Sequence, residues 1–539
     1  MLKFTLKKTP FTQTGFFNSI ILDYLNQSSD LKQFYEFDPT IDGFEEKIKS
    51  KVNLKLDRDL LSETILNQYK HSGLEIKSVV NQNISLLKNE NTFTVTTGHQ
   101  LNLFSGPLYV IFKIISTINL SEKLRKKFPE FNFIPVFWMA SEDHDISEIN
   151  NINLFGKKIS FETDYKGPAG KLKTEVASAM IAQTLEMIGT NNFAIELKEL
   201  IGNAYKESQT LAQSTRVWID SLVGKYGLVI IDADEKKLKN SFSKIAKKEL
   251  EENFVLKFVN QTIKTLNENY EIQVNPREIN LFYNHGLERN RIVEKDNHFS
   301  ILNTSISFNR EELMIELEKF PERFSPNVLM RPLYQEMILP NLAYVGGPAE
   351  IAYWMELKNV FKYLSLDMPV LLLRNCAMII EENLSLKWKK LGFTIDDLFK
   401  DETQLSKLFL SQGKLKDFST KKFIEVISKE FLALGTEIEQ YEPTLKPTVE
   451  SELKKVINSV NTIEEKMIRA SKKKQEVEIF QISKIKEKLF PNKGLQERYE
   501  TILPFYLKYG SDFIGVLKEL FDPFDKEFLI LEEQSTNQK

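Results

Sequence analysis

Two clusters of polar residues follow apolar segments in the first third of the chain. The first segment, 93–97, leads into the loop 98–107, which opens with Gly98-His99-Gln100. The second, 133–139, leads into Ser141-Glu142-Asp143-His144-Asp145. Carboxylates and imidazoles are the groups that proteins use to move protons, and carboxylates also hold Mg²⁺. Because only five histidines occur in 539 residues and two lie in these clusters, the pattern predicts a functional site.

The two clusters belong to a predicted βαβ unit. Between them, residues 108–125 have helix periodicity, with apolar side chains along one face at Leu108, Ile111, Phe112, Ile115 and Ile118. A strand, a polar loop, a helix and a second strand form such a unit, and ligands of open α/β sheets bind at the carboxyl ends of the strands. We therefore expect the two clusters to meet at one edge of a sheet.

Three further apolar runs extend the predicted sheet. They are 227–231, 342–345 and 370–373, and each is followed by a polar or glycine-rich stretch. Short, continuous apolar runs separated by helices are typical of strands that are buried on both faces. With the first two runs, they predict an α/β fold with five parallel strands in one doubly wound sheet.

Composition narrows the class of protein. A chain of 539 residues is expected to form about two to four domains. The net charge of −3 gives no basic surplus for nucleic acid, and no run of about 18 apolar residues predicts a membrane span. The single cysteine, Cys376, excludes an intramolecular disulfide, and the first residues lack the pattern of a signal peptide, so we expect a cytoplasmic protein.

Changes in composition predict the domain boundaries. Strand-like and helical stretches between the core strands indicate two insertions, and a lysine- and glutamate-rich helical region follows Cys376. The core is predicted to comprise 1–154 as its first part, 217–239 as a core strand and 326–376 as its second part. A first insertion spans 155–216 and a second insertion spans 240–325. A helical coiled-coil domain follows at 377–500, and 501–539 returns to the core.

The helical region carries a coiled-coil seam within a predicted helix, Val449–Leu489. Apolar residues alternate at spacings of four and three at Val449, Leu453, Val456, Val460, Ile463, Met467 and Ala470. The segment Phe423–Leu434 is a candidate antiparallel partner within the chain. Because that partner is shorter than the long helix, part of the seam is left for a second subunit, which predicts a homodimer.

Three loops at the strand ends each allow two interpretations. In 98–107, Ser105 is placed to cap the next helix, and the loop either binds an anion at that helix end or is a plain capped turn. The cluster Glu142-Asp143-His144-Asp145 supplies a general base or Mg²⁺ ligands, or it simply begins a helix. Gly346-Gly347-Pro348-Ala349-Glu350 permits close approach of a ligand, or is a glycine turn before a helix.

Two arginines near these loops require anions. Arg331 precedes the fourth strand, and Arg374 directly ends the fifth. A guanidinium at the end of a buried strand must be paired either with a structural carboxylate or with a bound carboxylate or phosphate. Cys376 is most simply a small buried apolar residue.

Longer motifs resemble a known family. Thr97-Gly98-His99-Gln100 through Ser105-Gly106-Pro107-Leu108-Tyr109, and Pro135-Val136-Phe137-Trp138 through Glu142-Asp143-His144-Asp145, are similar to segments of the BshC family, the cysteine-adding enzymes of bacillithiol synthesis. So are Arg331-Pro332-Leu333-Tyr334-Gln335, Gly347-Pro348-Ala349-Glu350-Ile351-Ala352-Tyr353-Trp354 and Leu495-Gln496-Glu497-Arg498. These motifs occur in order from about residue 93 to residue 500.

The resemblance implies a Rossmann-like core with two connecting-peptide insertions and an α-helical coiled-coil domain. It also implies a ligase that forms an amide bond between the carboxyl group of cysteine and the amine of glucosaminyl malate. Both substrates are small molecules. ATP with Mg²⁺ is the activating cofactor that this resemblance leads us to expect.

The resemblance and the motifs together suggest roles for individual residues. Gly98, Gln100, Asn102, Ser105 and Gly106 would cradle an anionic group, and His99 would donate a hydrogen bond to phosphate or carboxylate. Asp143 or His144 would take a proton from the attacking amine, while Glu142 holds the cysteine ammonium or a metal. Arg331 and Arg374 would bind malate or phosphate oxygens, and the further substrate- or nucleotide-binding candidates are Gln335, Gly347, Glu350 and Tyr353.

Two other functions remain possible from sequence. The first is a metal-dependent hydrolase that uses Glu142, Asp143 and His144 with His99, although no resident metal is predicted for the ligase itself. The second is a non-catalytic coiled-coil scaffold whose core binds a small anion. A bound metal with ligands at about 2.0–2.2 Å would favour the hydrolase.

Overall fold

The computed structural model of the protein describes residues 2–51, 55–296, 298–412 and 420–534. The chain forms two compact units. The first comprises Met1–Ala377 with Glu497–Ile530, and the second comprises Met378–Gln496 with Leu531–Lys539. Among the described residues, no helix is both long enough and apolar enough to cross a membrane.

Strands and helices alternate through the first unit, and helices dominate the second. The strands are β1 (Phe4–Pro10), β2 (Thr92–His99), β3 (Asn132–Met139), β4 (Asn151–Leu154), β5 (Lys157–Ser160), β6 (Val229–Asp232), β7 (Leu281–His285), β8 (Glu288–Lys295), β9 (His298–Ile301), β10 (Ser307–Asn309), β11 (Phe324–Pro326), β12 (Asn341–Gly346), β13 (Val370–Leu373), β14 (Ala377–Ile380) and β15 (Glu527–Glu533). The helices are α1 (Phe11–Thr14), α2 (Ser19–Leu25), α3 (Ile41–Lys51), α4 (Arg58–His71), α5 (Ser78–Leu86), α6 (Tyr109–Lys127), α7 (Ile146–Ile149), α8 (Ser178–Met187), α9 (Asn192–Ala204), α10 (Leu211–Val223), α11 (Lys236–Glu252), α12 (Phe254–Leu266), α13 (Arg310–Lys319), α14 (Arg331–Ile338), α15 (Pro348–Glu356), α16 (Lys358–Leu364), α17 (Glu382–Lys390), α18 (Glu402–Gln412), α19 (Lys421–Tyr441), α20 (Lys446–Lys474), α21 (Glu476–Leu489), α22 (Gln496–Tyr499), α23 (Leu503–Tyr509) and α24 (Asp512–Leu520).

The core of the first unit is a parallel sheet of five strands in the order β13-β12-β2-β3-β6. These are the five strands predicted from the apolar runs, so the predicted α/β class is confirmed. Strand β2 is buried from Thr92 to Gly98, and β12 and β13 are buried throughout, as expected for strands covered on both faces.

The strand order creates a switch point at the centre of the sheet. From β2 the chain adds β3 and then β6 on one side, and it later adds β12 and β13 on the other. Loops that follow strands on opposite sides of a switch point diverge and leave a crevice at the carboxyl ends. His99 at the end of β2 and Gly347 in the loop after β12 border this crevice.

Helix α6 packs inside the core. It is buried on nearly all sides, including its polar residues Lys113, Ser116 and Thr117. A helix that is apolar around most of its circumference is found inside a domain rather than on its surface. Each buried polar group has a partner: Ser116 Oγ donates to Asn375 Oδ1 at 2.9 Å, and Thr117 Oγ1 donates to the Lys113 carbonyl oxygen at 2.8 Å.

The segment predicted as the second insertion contributes to an antiparallel sheet with the strand order β10-β9-β8-β7-β11. The charged segment Leu238–Phe258 has the sequence pattern of one helix, and a single helix there was the prediction, which is wrong. Asn253 adopts the left-handed conformation with φ of 49°, and it divides the segment into α11 and α12. Asparagine tolerates this conformation better than most residues, which explains why the break falls there.

The second unit contains a helical hairpin of α19 and α20. Thr420 Oγ1 donates to Glu464 Oε2 at 2.6 Å, and a Cβ atom on Gly435 would lie 3.8 Å from a methyl group of Val449. Along α19 the order of the two contacts is Thr420 and then Gly435, whereas their partners on α20 occur in the reverse order. The two helices therefore run antiparallel, and the predicted antiparallel partner is confirmed. The predicted single helix 449–489 is wrong, because Gln475, with φ of −120°, separates α20 from α21.

The loop between β2 and α6 is held in an unusual backbone conformation. Phe104, Ser105 and Gly106 all have positive φ values, of 54°, 70° and 63°. The buried hydroxyl of Ser105 accepts a hydrogen bond from Trp218 Nε1 at 2.7 Å. The prediction that Ser105 caps the next helix is wrong, since α6 begins at Tyr109 without a side-chain cap.

Gly106→Ala is expected to destabilise the first unit. Gly106 has φ of 63° and ψ of −137°, and an added Cβ atom would lie 2.6 Å from Cβ of Asn102. A side chain forced into a conformation of this kind costs about 1–3 kcal/mol. Urea unfolding should show the loss. Gly202→Ala, within α9 and with open space around its Cβ position, is the control and should be no less stable than the wild type.

Candidate active site

A cleft of about 640 Å³ opens at the carboxyl edge of the parallel sheet. The loops after β2, β3 and β12 form one part of its wall, and residues of the second insertion form another. The predicted site residues that line it are Gly98, His99, Gln100, Glu142, Asp143, His144, Arg331, Gly347, Glu350, Tyr353 and Arg374. The lining does not include Asn102, Ser105, Gly106 or Gln335, so the structure does not bring these four to the cleft surface.

Two of the residues outside the lining support residues within it. Asn102 Nδ2 donates to the carbonyl oxygen of Glu148 at 2.9 Å, and Gln335 Oε1 accepts a hydrogen bond from Arg331 at 3.0 Å. Ser105 and Gly106 belong to the packed loop described above. The loop 98–107 as a whole therefore does not form an anion cradle.

Glu350 is held as a carboxylate at the start of α15. Its oxygens accept hydrogen bonds from the backbone N–H of Gly347 at 2.8 Å and from the hydroxyl of Tyr344, and Lys113 Nζ lies 2.6 Å away. Burial alone would raise the pKa of Glu350, but the Lys113 charge and these donors lower it to about 2. The negative charge of Glu350 is thus fixed and neutralised by Lys113.

His99 is a neutral imidazole. Burial is the main cause, and the nearby Lys113 charge adds to it, so that the pKa of His99 falls to about 3. Its ring packs edge-on against Tyr109, with 5.4 Å between the centroids. A neutral histidine can donate one hydrogen bond and accept another, but at neutral pH it carries no proton that it could release as an acid.

Arg331 is a guanidinium without a carboxylate partner. It donates to Gln335 Oε1 and to the hydroxyl of Tyr353 at 3.2 Å, and no salt bridge joins it to an Asp or Glu of the described chain. The central carbon of its guanidinium lies 5.2 Å from the ring centroid of Tyr344, and 6.0 and 5.8 Å from those of Trp138 and Trp354. Aromatic faces stabilise a cation without neutralising it, so Arg331 remains able to bind an anion.

Arg374 is paired with a structural carboxylate. Its two terminal nitrogens donate to the two oxygens of Glu497 at 3.0 and 2.6 Å, and both side chains are only 1% exposed. The charge is therefore neutralised inside the protein. Only Nε of Arg374 has no partner within the described residues, and it lies beside Gly347 at the cleft.

Glu142 and Asp143 have different environments although they are adjacent. The Glu142 carboxylate is buried and forms a salt bridge with Lys239 of α11. Asp143 Oδ1 accepts from the backbone N–H groups of His144 and Asp145, at 2.8 and 3.3 Å, and its Oδ2 accepts from Gln100 Nε2 at 2.8 Å. Glu142 is thus occupied by a lysine, whereas Asp143 is an oriented carboxylate at the cleft.

Several important residues were not identified from sequence. Lys113 was one, although a single lysine within the apolar run 110–115 indicates a buried charge that needs a partner. Glu497 lies within the motif Leu495-Gln496-Glu497-Arg498, but nothing in that motif indicates pairing with Arg374. Arg289 of β8, which contacts His144, lies in an alternating charged strand that gives no such signal.

The metal-dependent hydrolase required Glu142, Asp143, His144 and His99 to converge on one ion. Over the described ranges of the chain, no group of three or more His, Cys, Asp or Glu side chains is arranged to hold a metal. Glu142 instead pairs with Lys239, so the geometry gives this alternative no support.

Cys376 is buried next to Arg374. Arg374 Nη1 lies 3.4 Å from its sulfur, and burial raises the pKa of the thiol to about 12. A thiol in this state is a poor nucleophile. The interpretation of Cys376 as a small buried residue agrees with this environment.

The fold and the cleft define an α/β enzyme of the Rossmann-like class, with its site at a topological switch point. Comparison with known proteins makes the assignment more specific. Residues 4–375 match the family model of the bacillithiol biosynthesis BshC N-terminal Rossmann-like domain, and residues 377–533 match that of the BshC C-terminal coiled-coil domain. The chain belongs to the BshC family, and it is a ligase of bacillithiol biosynthesis.

Similar proteins named "Putative cysteine ligase BshC" match nearly the whole chain. The protein from Flavobacterium johnsoniae is 40% identical over 524 residues, covering 97% of this chain and 98% of the relative. Those from Cytophaga hutchinsonii and Bacillus cytotoxicus are 36% and 28% identical, covering 97% and 92% of this chain and 98% and 94% of the relatives. The resemblance inferred from the motifs is confirmed.

Glu497→Gln is expected to destabilise the first unit strongly. The substitution leaves the Arg374 guanidinium buried without a counter-charge, and breaking a buried pair in this way costs about 3–5 kcal/mol. Chemical denaturation should show the loss. Glu45→Gln, which breaks the exposed pair with Lys49, is the control and should leave the midpoint unchanged. Equal midpoints for both variants would contradict the prediction.

Proposed function

We propose that this ligase joins the carboxyl group of cysteine to the amine of glucosaminyl malate through an amide bond. The names of its relatives support cysteine as one substrate. The observation that carries the proposal is that one cleft holds an arginine free to bind an anion and a carboxylate held ready for an amine. Glucosaminyl malate needs both groups, the arginine for its malate carboxylates and the carboxylate for its amine.

Arg331 is the proposed contact for the malate carboxylates or for phosphate oxygens. It is charged, it faces the cleft, and its aromatic surroundings leave its charge without a counter-ion in the described chain. A guanidinium binds a carboxylate or phosphate through charge-assisted hydrogen bonds, which are about twice as strong as neutral ones.

Asp143 is the proposed acceptor for the proton of the attacking amine. Three N–H donors hold its carboxylate in place, so its orientation does not depend on the substrate. An amine must lose a proton as its nitrogen forms the amide bond, and a carboxylate within hydrogen-bond reach is suited to receive it. Gln100 supports this arrangement by donating to Asp143.

The remaining cleft residues are proposed to bind and orient the substrates. His99, neutral at all physiological pH values, would donate a hydrogen bond to a carboxylate or phosphate oxygen. Gly347 would allow a ligand to approach the backbone, because it has no side chain. Gly98 allows β2 to pack closely on β3, since an added Cβ atom would lie 3.2 Å from the carbonyl oxygen of Trp138. Tyr353 and Glu350 complete this wall, Tyr353 through the hydroxyl that supports Arg331.

ATP with Mg²⁺ is the proposed activating cofactor. Forming an amide from a free carboxylate in water is uphill, and ATP would supply the free energy by converting the cysteine carboxylate into a reactive acyl derivative. Arg331, which faces the cleft and has no carboxylate partner in the described chain, fits its phosphate groups. Since no cluster of three metal-ligand side chains occurs in the described parts of the chain, Mg²⁺ would be held mainly by the phosphates. The proposed cytoplasmic location would provide ATP.

The proposed reaction can be tested directly with purified protein. We expect mass spectrometry to detect the thiol product when the protein is incubated with cysteine, glucosaminyl malate and ATP with Mg²⁺. AMP or ADP should appear in equal amount. Omitting ATP is the control for the cofactor, and product formation without any nucleotide would contradict that part of the proposal.

Asp143→Asn should lower turnover by roughly 10²–10⁴-fold, the usual contribution of a positioned proton acceptor. The amide keeps the size of the side chain but is not basic. Because Asp143 is partly exposed, the melting temperature should change little. Asp42→Asn, an exposed carboxylate of α3 outside the cleft, serves as the control and should turn over normally. Full activity in Asp143→Asn would exclude the assigned role.

We also propose a homodimer formed through the coiled-coil unit. Helix α19 covers only part of α20, and apolar side chains of this hairpin remain largely exposed, including Phe423 at 63%, Val426 at 62% and Ile463 at 57%. The pairing of Thr420 with Glu464 places Phe423 and Ile463 near the same end of the hairpin. Exposed apolar groups in such a cluster are typical of an interaction surface.

Val426→Asp with Ile463→Asp should give monomers if this surface joins two subunits. Both side chains are exposed within the hairpin, so the change should spare its internal packing and the parallel sheet. Light scattering at micromolar concentration would give the mass of the wild-type protein and of the double variant. Circular dichroism would confirm that the double variant remains folded. Glu45→Gln, which changes an exposed side chain of α3 outside the coiled-coil unit, is the control and should stay dimeric. A monomeric wild-type protein would contradict the proposal.

A further inference from the structure

Arg289 of β8 is fixed by contacts on all three of its donor nitrogens. Nε donates to the hydroxyl of Ser325 at 2.8 Å, and Nη2 donates to the carbonyl oxygen of Pro326 at 2.8 Å. The guanidinium also stacks on the ring of Phe282, with its central carbon 3.8 Å from the centroid. The remaining nitrogen, Nη1, lies 2.7 Å from Nδ1 of His144.

The contact between Arg289 and His144 defines the state of the imidazole. Arginine has only donor hydrogens and stays protonated in proteins, so Nδ1 of His144 must accept and cannot carry a hydrogen. The neutral ring then has its hydrogen on Nε2. His144 lines the cleft, and Nδ1 is occupied, so Nε2–H is the only polar group that the ring can offer to a ligand.

We propose that Arg289 is a positioning residue that holds His144 as the neutral Nε2–H tautomer, so that His144 acts in the cleft as a hydrogen-bond donor and not as a base. This inference rests on the proposed function for the role of the cleft, although the tautomer itself does not. Under this proposal, Asp143 alone accepts the proton of the attacking amine.

The charges around His144 are consistent with a neutral ring. Burial lowers its pKa, and the Arg289 charge lowers it further, against the opposing effect of the neighbouring carboxylates Asp143 and Asp145. From the second insertion, Arg289 is the charged group that faces the ring, and Phe282 packs edge-on against it at 5.1 Å between centroids. Removing the Arg289 charge should therefore raise the pKa of His144.

A neutral donor in this position suits amide formation. When an amine nitrogen attacks an acyl carbon, the carbonyl oxygen gains negative charge, and a fixed N–H donor aimed at that oxygen stabilises the transition state. His144 would neither gain nor lose a proton in this step. Asp143, on the adjacent residue, would accept the proton that leaves the nitrogen.

Nuclear magnetic resonance of the full-length protein labelled with ¹⁵N-histidine tests the tautomer without reference to activity. With only five histidines, the His144 signals can be assigned by their loss in His144→Gln. We expect Nε2 to be protonated and Nδ1 not, and the ring to remain neutral at mildly acidic pH. In Arg289→Gln, His144 should titrate at a higher pH. A wild-type ring with hydrogen on Nδ1, or a titration that Arg289→Gln leaves unchanged, would overturn the proposal.

Two substitutions of His144 separate a donor from a base in the ligase assay. Glutamine can accept from Arg289 through its amide oxygen and donate to a ligand through its amide nitrogen, but it is not basic. His144→Gln should therefore keep most of the turnover, whereas His144→Ala should lose roughly 10²–10³-fold, as expected for one missing transition-state donor. Equal losses in the two variants would overturn the donor role.

Arginine variants complete the test. Arg289→Gln should lower kcat by roughly 10–100-fold, a range taken by analogy from residues that orient metal-bound histidines. Arg291→Gln, which changes an arginine on the same strand that does not contact His144, is the matched control and should retain full turnover. If the tautomer is as expected but wild-type protein forms no amide product, the proposed function fails while the positioning role of Arg289 stands.

Discussion

The removal of charged side chains from water at the carboxyl edge of the parallel sheet is the constraint on which this structure depends. An ion that loses its water costs several kcal/mol unless a partner compensates it. Three largely buried pairs, each with a cation that is at most 1% exposed, provide that compensation: Lys113 with Glu350, Lys239 with Glu142 and Arg374 with Glu497. Each pair joins residues far apart in sequence, so the same contacts that neutralise the edge also connect its elements.

The groups that remain unpaired define the chemistry of the cleft. Arg331 is surrounded by aromatic rings, and Asp143 is surrounded by N–H donors. Neither arrangement cancels the charge with an opposite one, in contrast to the three buried pairs. A cleft that holds an arginine without a carboxylate partner and an oriented carboxylate is complementary to a ligand that carries both an acidic group and an amine. The electrostatics of the edge therefore support the proposed substrates independently of the family.

Local sequence patterns were sufficient for the core but not for the contacts at its edge. The five strands were predictable because burial on both faces requires continuous apolar runs, and the loop residues His99, Asp143 and Gly347 followed from their positions at strand ends. The partners of Glu142 and Arg374 were not predictable, since Lys239 and Glu497 are 97 and 123 residues away in the chain. The break at Asn253 was missed because apolar periodicity continues across it. Near Gln475 the apolar seam is interrupted at Lys474 and resumes at Val477, and this interruption was interpreted as a gap in the seam of one continuous helix.

The two insertions contribute to the geometry of the proposed catalytic segment. From the first insertion, the backbone N–H groups of Ala169 and Gly170 donate to the carbonyl oxygens of Asp143 and Ser141 at 2.6 and 2.7 Å. From the second, Arg289 holds the His144 ring, and its own N–H donates to the carbonyl oxygen of Lys166 at 3.1 Å.

The segment 141–144 is thus fixed from both sides and not only by the strand that precedes it. A displacement of about 1 Å in a reacting group can cost 10²-fold in rate. A loop after a β-strand, left to itself, would be free to move by that amount. Holding this segment between two insertions is a physical reason for the chain to keep both of them around a core that the five strands already complete.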